Sequence, residues 1–222
     1  MKFNITLLLI FVCSITFGQL SINKNLKKQL DSLIELDQKY RELFPGLSDS
    51  LIKDSLASAY NVPFDEIEKY LWKLQTDIDS ANLVFIEKVF AQYGYPGKSI
   101  VGIEDESNEV AWYIIQHSSK KKIMQYLDMI KKAGKQKELP YHLVAMMEDR
   151  CLMSQKKKQI YGSQATCRVL KNSKKECFIW PIRNPKKVNK RRTKAGFETS
   201  VEQNAKRLNV EYRIVKLSEI QK

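Results

Sequence analysis

Residues 139–152, Leu139-Pro140-Tyr141-His142-Leu143-Val144-Ala145-Met146-Met147-Glu148-Asp149-Arg150-Cys151-Leu152, carry a helical pattern that gives way, after Lys156-Lys157-Lys158, to a strand pattern over residues 159–182. Pro140 suits a first helical turn, and Leu143, Met146 and Met147 recur on the side that should be buried. Residues 161–170 and 177–182 then read as two strands around the turn-like Lys171-Asn172-Ser173-Lys174-Lys175. A hairpin centred on Asn172 sets Cys167 opposite Cys177, either as a cross-strand disulfide or as two small apolar side chains sharing a face.

Outward from this junction the chain is helical. Ile22, Leu26, Leu30, Leu33, Ile34 and Tyr40 mark an amphipathic helix over residues 21–44 that should end at Pro45-Gly46. A second helix is expected from Ser48, as N-cap, to residue 60. A third opens at Pro63, with Asp65 and Glu66 in its first turn, and continues to residue 93, where Gly94-Tyr95-Pro96-Gly97 must break it. Ser107 can cap a helix ending at His117, residues 121–133 form another stopped by Gly134, and a basic loop leads to a last helix over residues 200–208. The fold class is mainly α: a helical domain with one small β-hairpin near the C-terminal third (α+β). We divide the chain into residues 1–19, N-terminal amphipathic helices over 20–75, and a helical domain with the hairpin over 76–222.

The composition, 43% hydrophobic and 28% charged over 222 residues, excludes disorder, collagen and a multi-span membrane protein. Residues 1–19 place one Lys before an apolar run of about thirteen residues, too short for a membrane-spanning helix, and end at Thr16 and Gly18 near a cleavage position. They read as a signal peptide, so the protein is expected to be exported, periplasmic or secreted, with no transmembrane span in the mature chain. Lipid attachment through Cys13 is disfavoured by Val12 before it. Export puts Cys151, Cys167 and Cys177 in a compartment that permits disulfides, with Cys151 the odd thiol, buried or reactive.

The net charge of +13 is concentrated: residues 151–222 hold 19 basic and 5 acidic groups, whereas residues 1–150 are nearly balanced. The densest runs are Lys156-Lys157-Lys158 and the stretch 185–194, which contains Lys186, Lys187 and Lys190. Inside a cell the second run would suggest nucleic acid. Outside the cytoplasm it favours an anionic ligand or surface, unless it is only a solvated face.

Two histidines limit imidazole chemistry to His117 and His142. His117 closes a helix, where the macrodipole alone favours a cation. Asp149 and Arg150 follow an apolar run, so they must pair with another helix or bind something. If 159–164 is a strand, Gln159, Tyr161 and Ser163 share one face. There is no metal-ligand spacing, nucleophile elbow, phosphate loop or dinucleotide fingerprint, so no cofactor and no metal are expected.

Several segments together, Asp79-Ser80-Ala81-Asn82, Tyr95-Pro96-Gly97, Val101-Gly102, Ala111-Trp112-Tyr113-Ile114-Ile115-Gln116-His117, Glu148-Asp149-Arg150, Gln159-Ile160-Tyr161-Gly162-Ser163-Gln164 and Val188-Asn189-Lys190-Arg191-Arg192 with Gly196, resemble the bacterial domain of unknown function DUF 6624 over about residues 75–200. The family pattern has Thr where Ser163 stands, an acid where Asn189 stands and no Cys at Cys151. The resemblance implies a candidate set rather than a reaction: His117, Asp149 and Tyr161 as catalytic groups, and Gln116, Arg150, Gln159, Gln164 and Arg192 as ligand-binding groups, with Asp79 and Asn82 outside them. Such a set suits a metal-independent hydrolase or transferase acting on a polar or anionic envelope component. It equally suits a buried hydrogen-bond network. The alternatives are a non-enzymatic binding module using the basic C-terminal third, and a partner-binding structural protein docking through residues 21–75. An enzyme should depend on His117 and Asp149 and tolerate neutralised Lys186, Lys187 and Lys190; a basic binder should do the reverse.

Overall fold

The computed structural model describes residues 21–221. The expected signal peptide, Cys13 included, lies outside the described residues. The helices are α1 (Lys24–Gln38), α2 (Ser50–Tyr60), α3 (Ile67–Tyr93), α4 (Lys98–Val101), α5 (Val110–His117), α6 (Lys120–Lys135), α7 (Tyr141–Ser154), α8 (Val188–Lys194) and α9 (Val201–Arg207). One hairpin, β1 (Ala165–Val169) and β2 (Lys175–Ile179), stands between α7 and α8, so the chain is mainly α with a small antiparallel β element. Among the described residues no helix is long and apolar enough to cross a membrane.

Most boundaries follow local chemistry. Asn23, Asp49, Ser119 and Ser200 cap α1, α2, α6 and α9 with side-chain oxygens. Thus Asp49, rather than Ser48, starts the second helix, because its carboxyl group reaches the amides of Leu51 and Ile52. The first helix ends near Lys39, short of Pro45, and residues Arg41–Ser48 tighten into a 3-10 turn. That early end lets Arg41 fold back onto the Asp37 carbonyl and lets the Tyr40 amide donate to Gln75 Oε1.

Gly134 does not stop its helix. It lies inside α6, where a Cβ would stand 2.4 Å from Val144 Cγ2, so its role is to let α6 and α7 touch. The expected basic loop is also ordered: Pro185–Lys187 forms a 3-10 turn that leads directly into α8.

The main core joins α1, α3, α5, α6 and α7 through side chains such as Leu30, Ile86, Trp112, Ile115, Ile130 and Met147. A second core holds Tyr40, Ala57, Ile67 and Leu71. The division placed at residue 75 falls within α3, which contributes to both cores, while α1 packs on α3 and α5. Residues 21–75 therefore do not stand apart from the other described residues. The hairpin is shorter than the sequence suggests, and it is buried only at the end of β2, while its turn end is exposed. Phe178 and Trp180 meet Leu170, Val215 and Ile220; Ile179 meets Ile182, Val188, Val201 and Ala205.

Candidate functional site

α7 presents Asp149 and Arg150 in opposite circumstances. Asp149 is fully buried and accepts from the amides of Ile160 (2.6 Å), Tyr161 (3.1 Å) and Ser163 (3.0 Å) and from Ser163 Oγ (3.0 Å). Burial pushes its carboxyl pKa up, against the pull of those donors. Residues 159–164 are consequently a loop wrapped around one carboxyl group, not an extended strand. Gly162 takes φ +68° there, and a Cβ would lie 2.6 Å from Val201 Cγ2, so the wrap needs glycine.

The remaining polar residues of that loop satisfy one another. Gln159 donates to the carbonyls of Gln164 (3.0 Å) and Trp180 (2.6 Å) and accepts from the Gln164 amide (3.0 Å). Arg192, 1% exposed, donates to the carbonyls of Tyr161 (3.0 Å) and Thr199 (2.8 Å) and lies over the Phe197 ring. Arg191 binds the carbonyls of Ile160 and Arg183. Two cations of the basic run are thus turned inward. The Tyr161 ring sits beside Phe197, and burial, with Tyr141 and Glu148 nearby, pushes its phenol up to about 12. At neutral pH it can donate a proton in a hydrogen bond but cannot act as a base.

His117 is elsewhere. Its Nδ1 lies 3.1 Å from both carboxyl oxygens of Asp37, a buried residue of α1, while Nε2 stands 3.4 Å from Gln116 Nε2. Asp37 continues the Leu26-Leu30-Leu33 stripe of α1, so a carboxyl group at an apolar position was the available signal. Arg41 pairs with Asp79 through both guanidinium nitrogens (3.0 and 2.7 Å), and Asn82 Nδ2 donates to the Leu33 carbonyl. Asn82 thus ties α3 to α1, and Asp79 ties it to the 3-10 turn that follows α1. His117 stands apart from Asp149 and Tyr161, which meet only through the Tyr161 main-chain amide.

Arg150 differs from all of these. One guanidinium nitrogen donates to the Gln116 carbonyl at the end of α5 (2.8 Å), and it has no carboxyl partner among the described residues. Burial pushes its pKa down. It lines a cleft of about 660 Å³ and an adjoining one of about 360 Å³, which share Arg150, Gln164, Ala165 and Thr166. The larger cleft also takes Lys120, Lys156 and Arg168, and no Asp or Glu lines it. Lys120 opens α6, whose first turn, Lys120-Lys121-Lys122, has no acidic residue. Cations stacked on the positive pole of a helix repel it, and an anion relieves that repulsion. Lys156 follows α7 with φ +57°, its amide donating to the Met153 carbonyl and the Lys157 amide to the Leu152 carbonyl. Glycine normally fills such a left-handed position, and a lysine there costs about 1 kcal/mol.

Cys167 and Cys177 face each other in the hairpin register and are joined by a disulfide, with Cys167 on the rim of the smaller cleft. Cys151 is buried, which pushes its thiol pKa up and makes it a poor nucleophile. Among the described residues no three His, Cys, Asp or Glu side chains converge so as to hold a metal ion.

A family model described as a family of unknown function, DUF6624, matches residues 47–216. The chain belongs to the DUF6624 family. The match extends beyond the residues 75–200 that carry the visible resemblance, so the DUF6624 region includes α2 and all of α3. No curated protein and no solved structure matches the chain. Of the candidate residues, Arg150 and Gln164 line the clefts, and Gln116 positions Arg150 through its carbonyl. Lys120, Lys156 and Arg168, which line the larger cleft, and Asp37, which faces His117, were not among the candidates. Three lysines at a helix start were the signal for the first, whereas the cleft itself arises only when α6, α7 and the hairpin meet.

Proposed function

We propose that this DUF6624 protein binds an anionic ligand in the cleft between the start of α6, the end of α7 and the hairpin. One observation carries the reading: Lys120, Arg150, Lys156 and Arg168 converge on one cleft, none in an ion pair among the described residues, with no carboxyl group lining it. A half-buried guanidinium without a counter-charge is costly to the fold, and a bound anion supplies that charge. Gln164, Thr166 and Ser118 add hydrogen-bonding side chains. Export is part of the proposal, supported by the apolar segment after Lys2 and by the Cys167–Cys177 disulfide, a bond at home in oxidising compartments.

Titration with pyrophosphate tests it. Pyrophosphate should raise the melting temperature, with an effect that shrinks as salt rises. Arg150→Ala should remove the shift, whereas neutralising exposed Lys186, Lys187 and Lys190 should leave it. A shift that survives Arg150→Ala but vanishes with those lysines would move the site to α8.

A second reading, a metal-independent hydrolase or transferase, is favoured by the Asp37–His117 contact, because a carboxyl group facing Nδ1 fixes the tautomer in which Nε2 is the acceptor, with only the Gln116 amide nitrogen 3.4 Å from it. His117 directly precedes Ser118, which lines the cleft. His117→Gln should then abolish turnover of a bound ligand and preserve its affinity; equal loss of both would make His117 structural.

A further inference from the structure

The cleft is not polar throughout. Met153, Trp180, Leu217 and Ile220 line one side of it and belong to a single apolar cluster under the hairpin and the C-terminal segment. Trp180 is almost fully buried and its Nε1 already donates to the Lys157 carbonyl (2.7 Å), so it offers neither an open face for stacking on a sugar nor a free donor. Aliphatic side chains next to four cations that form no ion pair among the described residues match a ligand with two unlike halves. A simple inorganic anion would use the cations and leave the apolar wall against water.

Resting on the anion-binding reading above, we infer that the natural ligand is an amphiphilic anion: a phosphate- or carboxylate-headed molecule whose aliphatic chain lies along Met153, Leu217 and Ile220 while Arg150 and Lys156 hold its head. A cleft of about 660 Å³ is of the size that encloses one small ligand, so a single short chain fits and a bilayer patch does not. The head belongs near the start of α6, where Lys120 and Ser118 line the cleft. Lys156 is kept in a left-handed conformation that glycine would occupy more easily, which is reasonable if its side chain is used.

Calorimetric titration of the full folded chain with three probes, inorganic phosphate, dodecyl phosphate and dodecyl maltoside, the last two below their micelle concentrations, tests this. Because each buried methylene adds to affinity, dodecyl phosphate should bind at least about thirtyfold tighter than inorganic phosphate. It should also bind at least about tenfold tighter than the uncharged maltoside, the difference contributed by the charged head. Leu217→Ser should weaken dodecyl phosphate and leave inorganic phosphate unchanged. Lys156→Gly, which suits the backbone and so keeps the fold, should weaken both phosphates. Equal affinity for the two phosphates overturns the amphiphile and leaves the anion site standing. Equal affinity for dodecyl phosphate and maltoside, or no binding of any probe, overturns both. A Leu217→Ser variant that loses inorganic phosphate as well overturns the division of the cleft into two halves.

Discussion

Asp149 and Arg150 are neighbours on one helix, each a charge taken at least partly out of water, and the fold treats them differently. Asp149 has four donors, all supplied by residues 160–163, and its burial organises the loop that precedes the hairpin. Arg150 has one carbonyl and an open cleft. A buried charge with every hydrogen bond answered from within is part of the architecture, whereas one left open toward a cavity marks a place for something else.

The comparison breaks most visibly through stability. Asp149→Asn keeps the shape of the side chain but turns a donor toward amides that need an acceptor, so a loss of about 3 kcal/mol or more in urea unfolding is expected. A loss below about 1 kcal/mol would mean that the loop does not rest on this carboxyl group. Removing the disulfide with Cys167→Ser and Cys177→Ser, which frees a ten-residue separation, should cost about 2–3 kcal/mol on the loop-entropy argument and loosen the wall of the smaller cleft. The check is the denaturation midpoint with and without reductant, since the parent under reductant should approach the variant.

Arg150→Met sharpens the contrast from the other side. It should leave unfolding within about 1 kcal/mol of the parent, in either direction, because the group it removes has one carbonyl partner, at Gln116, and no counter-charge among the described residues. Pyrophosphate binding should nevertheless fall at least tenfold, the order expected for losing a charge-assisted contact. The smallest effect concerns Tyr161, whose phenol is raised from its ordinary value of 10 to about 12, chiefly by burial. The fold favours the neutral form, so this contribution is complete below about pH 10 and disappears as the pH climbs through about 12. Tyr161→Phe should flatten that alkaline decline; an unchanged decline would assign it to other tyrosines.

Helix positions were readable because apolar spacing and capping residues act locally: α5, α6 and α7 lie within a few residues of their expected bounds. What misled was punctuation. Gly134 and the run 185–194 look like breaks, yet one is a contact between helices and the other is a helix whose Arg191 and Arg192 tie down the Asp149 loop. The sequence singles out the candidate residues, but their division into loop builders and cleft liners depends on which carbonyls and amides come within reach after folding. Asp149 and Arg150 are indistinguishable in this respect until the hairpin is in place. The partnership of Asp37 with His117, eighty residues apart, has no local trace beyond an acid in an apolar stripe.

α3 has a further consequence. At 27 residues it is about 40 Å long, and it lends one end to the core around Ile67 and Leu71 and the other to the core around Ile86 and Phe90. A continuous rod shared by two cores couples their fates, since neither can melt without stripping one half of the same helix. Amide hydrogens in the middle of α3 should therefore exchange with solvent only when the entire chain opens, and the two cores should lose protection together rather than in sequence.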